Sequence, residues 1–295
     1  MKKLFTLSLV ALVLLTGCSK TTSTNVSEPN EVVVDFGNKQ VTKGELYHMM
    51  LLNSPVTPVE TLLKKILFEQ EVPLTEEDTT AAREEFQEMK DFYDSVFGEG
   101  YFESYIKSWN SEKTEEDYFQ EVYLLSYQQN KLTKKYLEET FEKQMTVYYP
   151  TKVQIIEVSD TVDVANEILT AIQNGATFEE AIAERTTASY RWVDQVITST
   201  FDTSLPINLF NAISTQNASG LIGEPILNES TGVYYIVNVV EVNPSEMKED
   251  VIDYLSNQTT ISTEALTHYI TKNHFKIYDL DIYEAFESEK PEYLK

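Results

Sequence analysis

The spacing of apolar side chains changes along the chain and predicts two kinds of structure. A short alternating, strand-like run occupies Val32 to Phe36, and beyond it apolar residues recur every three or four positions, the period of an amphipathic helix. Thr42 and Glu45 have the spacing of a capping box at a helix start, and Thr114 with Asp117 predicts a cap at the start of a later helix. The pattern therefore predicts that residues 32–145 are mostly helical.

A different pattern begins at Pro150, because proline is not accommodated in a helix interior. The predicted elements then follow in chain order: a strand in KVQIIEV, a helix from Val162 to Asn174 ended by Gly175, a short helix capped by Thr177 and Glu180, a polar loop, a short helix near Leu205 to Ile213, and a strand in GVYYIVNVVEV. This order is typical of a small α/β domain. After Pro244 the helical spacing returns.

The start of the chain has the layout of a secretory signal peptide. Lys2 and Lys3 precede a mostly apolar run from Leu4 to Leu15, which is shorter than the about 20 residues that a membrane-spanning helix needs. Cys18, the only cysteine in the sequence, follows directly. Residues 18–31 are polar and without apolar periodicity, which predicts a flexible tether.

The four residues Leu15 to Cys18 resemble a bacterial lipobox, the cleavage site of lipoprotein signal peptides. The resemblance implies a signal peptide of residues 1–17, cleavage after Gly17, and a diacylglyceryl group with fatty acyl chains such as palmitate on the sulfur of Cys18. An ordinary signal peptide with an incidental cysteine is the alternative. Beyond this covalent lipid no cofactor is expected. Metal binding is not expected either, since His48, His268 and His274 are dispersed.

The chain is strongly acidic, with a formal net charge of −25 that becomes −27 once Lys2 and Lys3 leave with the signal peptide. Nucleic acid is excluded as a partner because phosphate binding needs a basic face. Anionic lipid repels such a body, so contact with the membrane is expected through the lipid anchor only. The acidic run between Glu76 and Glu121 indicates a solvated helical face. The alternative is a surface that attracts basic, unfolded chains.

The order of these elements resembles the PrsA-type foldase lipoproteins. The similarity extends over nearly the whole chain and lies in the lipobox, VVVDFGNKQVTKGEL, VFGEGYFESYIKSWNSEKTEEDYFQEV, KLTKKYLEETFEKQ, YYPTKVQIIEV, ANEILTAIQNGATFEEAIAE, SGLIGEPI and FKIYDLDIYEAF, which is similar to the family's closing strand and tail. It implies an α+β fold, in which a mostly helical, SurA-like chaperone domain is interrupted by a parvulin-type peptidyl-prolyl isomerase domain. The implied segments are the tether at 18–31, the chaperone domain at 32–147 and 244–295, and the parvulin-like domain at 148–243.

The same resemblance allows the isomerase site to be carried over residue by residue. Active parvulins have a histidine in the first strand and another in the last, and these positions fall on Gln154 and Tyr235. The methionine and phenylalanine of the short helix fall on Ser204 and Asn208. Gln154 and Tyr235 lack the imidazole of these histidines, although the two could hydrogen-bond to each other or to a peptide. The region 186–203 matches poorly, so its acidic or thiol residue is not assigned.

The expected function is that of a foldase on the extracytoplasmic face of the cell membrane, where it assists newly secreted, unfolded polypeptides. No catalytic residue of the family is intact, so the parvulin-like domain is expected to have lost efficient prolyl isomerase (rotamase) activity. Two alternatives stay open: an active peptidyl-prolyl cis-trans isomerase, and a non-chaperone surface lipoprotein such as a receptor or adhesin. Monomer and homodimer also stay open.

Overall fold

The structure is a computed structural model of the 295-residue chain, and it describes residues 26–36, 39–183, 185–198, 201 and 205–294. The described residues form two compact units. The first combines those of 1–65 with those of 269–295, and the second consists of those of 66–268. Among the described helices, none combines the length and apolar character needed to cross a bilayer.

Helices account for most of the described chain. They are α1 Lys43–Leu52, α2 Val56–Glu71, α3 Glu76–Phe97, α4 Tyr101–Trp109, α5 Glu115–Tyr118, α6 Leu124–Tyr148, α7 Val162–Gln173, α8 Phe178–Ile182, α9 Ile207–Ser214, α10 Lys248–Ser256, α11 Thr259–Lys272 and α12 Leu280–Glu289. The strands are β1 Val32–Phe36, β2 Lys39–Thr42, β3 Thr151–Val158, β4 Ala188–Ile197, β5 Gly220–Leu221, β6 Ile226–Leu227 and β7 Tyr234–Glu241. The predicted mostly helical α+β fold is confirmed.

The first unit contains the β1–β2 hairpin and α1, with the predicted capping box at Thr42 and Glu45 confirmed. Its buried residues include Phe286 of α12 and Tyr293 in the 3₁₀ turn that follows. The Tyr293 hydroxyl donates a hydrogen bond of 3.2 Å to Oε1 of Glu60. Burial, together with the nearby Glu60 carboxylate, raises the pKa of Tyr293, so this phenol stays protonated over the physiological range.

In the second unit, α3 is joined to α6 by a charged hydrogen bond at its first turn. Thr75 caps α3 in a capping box with Asp78, and Nζ of Lys131 donates to Oδ2 of Asp78 at 2.5 Å. The bond from Lys131, helped by the amide and hydroxyl of Thr75, lowers the pKa of Asp78 to about 2. The carboxylate is therefore ionised at any pH at which the chain works, and it holds the start of α3 in place.

Aromatic side chains form the core between α3, α4 and the start of α6. Phe86, Phe102 and Phe119 are buried there, with the rings of Phe86 and Phe119 5.3 Å apart edge to face. Phe119 opens a π-helical turn, Phe119–Tyr123, inserted between α5 and α6. The predicted capping box at the start of α5, between Thr114 and Asp117, is confirmed.

The remaining strands form one antiparallel sheet in the order β4–β3–β7–β5, with β6 also paired to β7. Helices α7 and α8 pack on one face against Ile156, Val158 and Ile236. Helix α9 packs on the other face through Leu209 and Ile213. Both faces of the two central strands are therefore covered by helices, and apolar side chains of β3 and β7 are buried on each face.

Two sequence predictions about secondary structure are wrong. The region predicted as a polar loop forms the ten-residue edge strand β4, whose exposed side chains obscure the alternation typical of strands. The closing segment, expected from the family resemblance as a strand and tail, instead forms helix α12. Asp279 caps this helix through the backbone amides of Asp281 and Ile282, a start signal that a strand would not use. The domain boundaries inferred from the resemblance stay a prediction.

Candidate functional site

The register of β3 and β7 separates the two residues at the family's histidine positions. Gln154 lies opposite Asn238 and Glu157 lies opposite Tyr235. Side chains on a strand alternate between faces, so residues three positions apart point to opposite sides of the sheet. Gln154 and Tyr235 therefore project from different faces and do not hydrogen-bond to each other.

Gln154 is instead the centre of a polar row across three strands. Its Nε2 donates to Oδ1 of Asp194 at 2.7 Å, and its Oε1 accepts a bond of 3.1 Å from Nδ2 of Asn238. Both ends of the Gln154 amide are thus satisfied by neighbouring strands. Asp194 is exposed, which leaves the carboxylate at the edge of the row accessible to a peptide.

Asp194 reaches Gln154 because strand β4 contains a bulge. Ile155 pairs with Trp192 and Val153 with Gln195, so two residues of β4 stand opposite the single residue Gln154. Asp194 has a φ of 49°, in the left-handed region that non-glycine residues seldom adopt. Bulges turn a side chain out of its regular direction and are frequent beside functional sites. Sequence reasoning did not assign this acid, and its only signal was a polar pair, Asp194 and Gln195, within an otherwise strand-like run.

The bulge gives a prediction about backbone conformation. We expect Asp194→Ala to be less stable than Asp194→Gly by about 1 kcal/mol, because both lose the bond from Gln154 but only alanine is strained at positive φ. Urea unfolding of the two variants measures the difference. Asp194→Asn is the control that keeps both a hydrogen-bond acceptor and tolerance of this φ. Equal stability of the alanine and glycine variants would contradict the left-handed conformation.

Tyr235 lies in the core on the opposite face. Only 4% of its surface is exposed, and it packs with Leu209 and Ile213 of α9. The guanidinium of Arg191 lies 5.9 Å from the centre of its ring and forms an ion pair with Glu157. In this position the tyrosine side chain fills the core.

The short helix α9 borders an open cleft. Leu205, Pro206, Ile207 and Asn208 form one wall and residues 228–230 the other, around a volume of about 430 Å³. Nδ2 of Asn208 donates to the carbonyl of Leu227, so the amide is used to fix the helix to strand β6. Ser204, at the family's methionine position, lies outside the described residues.

The chemistry of these groups differs from that of an active parvulin site. Rotation about an X–Pro bond needs no nucleophile or metal, only an apolar slot and polar groups that favour the twisted amide. Residues 148–243 contain no histidine at all. The groups at these positions are therefore amides that are already bonded within the domain and one exposed carboxylate, that of Asp194.

The remaining residues singled out from the sequence lie elsewhere. His268 is on α11, with its ring 5.3 Å from that of Tyr136. Within the described part of the chain, no group of three or more histidine, cysteine, aspartate or glutamate residues could hold a metal ion. Cys18 lies outside the described residues, so its lipidation stays a prediction.

Comparison with known proteins finds similar solved structures. No protein-family model and no curated protein matches the chain. The chain is similar to foldase protein PrsA from Streptococcus pneumoniae, at 16% identity and a TM-score of 0.46, with 86% of this chain and 98% of that chain covered. It is also similar to PrsA from Lactococcus lactis, at 17% identity and a TM-score of 0.45, with 88% of this chain and 98% of that chain covered. The peptidylprolyl isomerase PrsA from Bacillus cereus is similar at 14% identity and a TM-score of 0.44, with 89% of this chain and 99% of that chain covered. These proteins carry the name of the foldase family that the order of motifs in this sequence resembles.

Proposed function

We propose that the mature chain is a foldase that binds newly secreted, unfolded polypeptides at the extracytoplasmic face of the cell membrane. The observation that carries the proposal is an exposed apolar surface on the helical part of an acidic chain. Phe92, Val96 and Phe97 are each more than half exposed, near the end of one helix. Contiguous exposed apolar surface marks an interaction site more often than it marks an ordinary protein surface.

The anchor in this proposal is the lipid on Cys18. Each methylene buried in a bilayer contributes about 0.8 kcal/mol, so the two chains of a diacylglyceryl group hold a protein stably where a single chain does not. The polar segment 18–31 then separates the folded chain from the bilayer. A protein held in this way meets its clients as they emerge from the membrane, and the net charge keeps its body away from anionic lipid.

In the same proposal the parvulin-like domain, residues 148–243, binds peptides or supports the fold but has lost efficient isomerase activity. The loss of activity is supported by the hydrogen bonds and the burial of the residues at the family's catalytic positions. Gln154 is saturated by its two neighbours and Tyr235 is buried, so neither supplies a free polar group to a twisting amide. Asn208 is likewise bonded to the backbone of strand β6.

Two assays on the mature chain test the proposal. We expect it to suppress the aggregation of a reduced, unfolded protein at stoichiometric ratios, measured by light scattering. We also expect the isomerisation rate of an Ala-Pro peptide, followed in a protease-coupled assay, to stay at its uncatalysed value. Failure to suppress aggregation would refute the chaperone role. A clearly accelerated peptide would refute the loss of isomerase activity, leaving the active isomerase as the better description.

A further inference from the structure

The C-terminal end of α3 and the start of α4 carry a cluster of exposed rings. We call it the aromatic patch, and it consists of Phe92, Tyr93, Val96, Phe97 and Tyr101. Phe92 is 61% exposed and Phe97 is 57% exposed. The rings of Phe97 and Tyr101 stack with centroids 4.7 Å apart, and those of Tyr93 and Tyr101 with centroids 6.4 Å apart. The cluster is therefore arranged before any partner binds, which lowers the entropy lost on binding.

The turn between the two helices explains why these rings stay outside. Gly98 and Gly100 adopt positive φ of 107° and 76°, and they reverse the chain between α3 and α4. The backbone amide of Phe102 then donates to Oδ1 of Asp94 at 2.9 Å, which fixes the start of α4. With this geometry Phe102 enters the core while its neighbour Tyr101 stays on the surface.

Acidic side chains lie on the same helix and turn as the aromatic patch. Glu88, Asp91 and Glu99 are exposed, and no lysine or arginine of the described residues forms an ion pair with any of them. The two lysines nearest to the patch in the sequence are already paired, Lys90 with Glu115 and Lys107 with Glu103. The patch therefore presents aromatic rings within a surface of negative charge.

We propose that the aromatic patch binds unfolded polypeptide segments in which an aromatic or large aliphatic residue is flanked by lysine or arginine. The inference rests on the proposed function and specifies the class of client segment. Aromatic rings accept both apolar side chains and cationic groups, and the acidic surround attracts the flanking cations. Attraction of this kind also speeds association when the client is a positively charged chain.

The charge argues against the other occupants of such a surface. In a symmetric dimer through the patch, Glu88, Asp91 and Glu99 would face the same acids of the second copy or lie close to them. A membrane surface containing anionic lipid would be repelled in the same way. A basic segment is the occupant that gains from both the rings and the acids.

The binding test uses two fluorescently labelled, unstructured peptides and the mature chain. One peptide carries phenylalanine and leucine separated by lysines, and the other has glutamate in place of each lysine. By fluorescence anisotropy we expect the basic peptide to bind at least about tenfold more tightly, with an affinity that falls as salt is raised. Equal affinity of the two peptides would overturn the charge component of the proposal.

Substitutions then locate the binding surface. We expect the double variant Phe92→Ser/Phe97→Ser to weaken binding of the basic peptide by about tenfold or more, since aromatic anchors dominate such contacts. The matched control is Tyr278→Ser, which removes another aromatic residue, 70% exposed and outside the patch. We expect this control to bind like the unmodified chain. A second variant, Asp91→Asn/Glu99→Gln, leaves every ring in place and is expected to reduce both the affinity and its dependence on salt.

The outcomes separate this inference from the proposed function. If the unmodified chain suppresses aggregation and both patch variants bind the basic peptide unchanged, the inference fails and the foldase proposal stands. If the unmodified chain neither suppresses aggregation nor binds peptide, both fail. Sedimentation of the unmodified chain and the Phe92→Ser/Phe97→Ser variant checks the competing occupant. A dimer that dissociates on this double substitution would overturn the inference in favour of a second copy of the chain.

Discussion

Replacing Cys18 by serine is expected to abolish incorporation of fatty acid into the chain and to leave residues 1–17 attached. The expectation follows from chemistry: the lipobox resemblance implies thioether formation on the sulfur before cleavage after Gly17, and serine has no thiolate. Since Cys18 is the only cysteine, no other thiol can take its place. Metabolic labelling with a clickable fatty acid, together with the mass of the product, measures both effects in a bacterium that processes lipoproteins.

A matched control tests whether the thiol must be at position 18 or only has to be present in the chain. In Cys18→Ser/Ser19→Cys the chain still has one cysteine, displaced by one residue from the lipobox. We expect this variant to remain unlabelled as well. Label on Cys18→Ser, or a mature product that begins at another residue, would show that the chain is anchored in some other way. The ordinary signal peptide would then be the better interpretation.

Local signals in the sequence predicted much of the fold because they act within a few residues. The pairs Thr42 with Glu45, and Thr114 with Asp117, mark helix starts since side chain and backbone bond across one turn. Gly175 lies just past the end of α7 with a φ of 101°, as a glycine stop signal requires. These interactions need no knowledge of the rest of the chain.

Strand β4 escaped prediction because its pattern depends on long-range pairing. Two register shifts occur where it pairs with β3, and each disturbs the alternation that identifies a strand. One of them is the bulge that brings Asp194 to Gln154. The contact joins residues forty positions apart, and no local rule encodes it. For the same reason, the pairing of Gln154 with Asn238 became visible only in the folded sheet.

The family resemblance implied the α+β fold class that the structure has, but it did not predict the partners of the polar residues. It identified Gln154 and Tyr235 as the positions to compare, and the strand register placed them on opposite faces. It was silent on the aromatic patch, because exposure is a property of the packed helices. Phe86 and Phe97 lie on the same helix and have the same side chain, yet one is buried and the other is exposed.

Replacing Phe119 by alanine is expected to lower the free energy of unfolding of the second unit by about 3–5 kcal/mol, the range found for truncating a buried phenylalanine. The ring is fully buried, stacks on Tyr123 with centroids 6.0 Å apart, and lies 3.4 Å below the guanidinium carbon of Arg83. Removing it leaves a cavity among large rings that are fixed by their own helices. The cation–π contact with Arg83 is lost as well.

Phe92→Ala is the matched control, since it truncates the same type of side chain at an exposed position of α3. We expect the control to change the free energy of unfolding by less than about 0.5 kcal/mol. Urea unfolding gives both values, and hydrogen–deuterium exchange identifies the segment that loosens. In Phe119→Ala we expect faster exchange in α3, α4 and the start of α6, because Phe86, Phe102 and Phe119 share one core.

Phe119→Ala and Phe92→Ala also distinguish an effect on the stability of the fold from an effect on peptide binding. Phe119 is fully buried and is not part of the aromatic patch. Phe119→Ala is therefore expected to weaken peptide binding only indirectly, through loss of order in the turn between α3 and α4. Phe92→Ala removes a ring from the patch without disturbing the core, so binding weakens while stability is kept. If Phe119→Ala unfolds at the same urea concentration as the unmodified chain, the packing of α3 and α4 on this core is wrong. The arrangement of the aromatic patch would then lose its support.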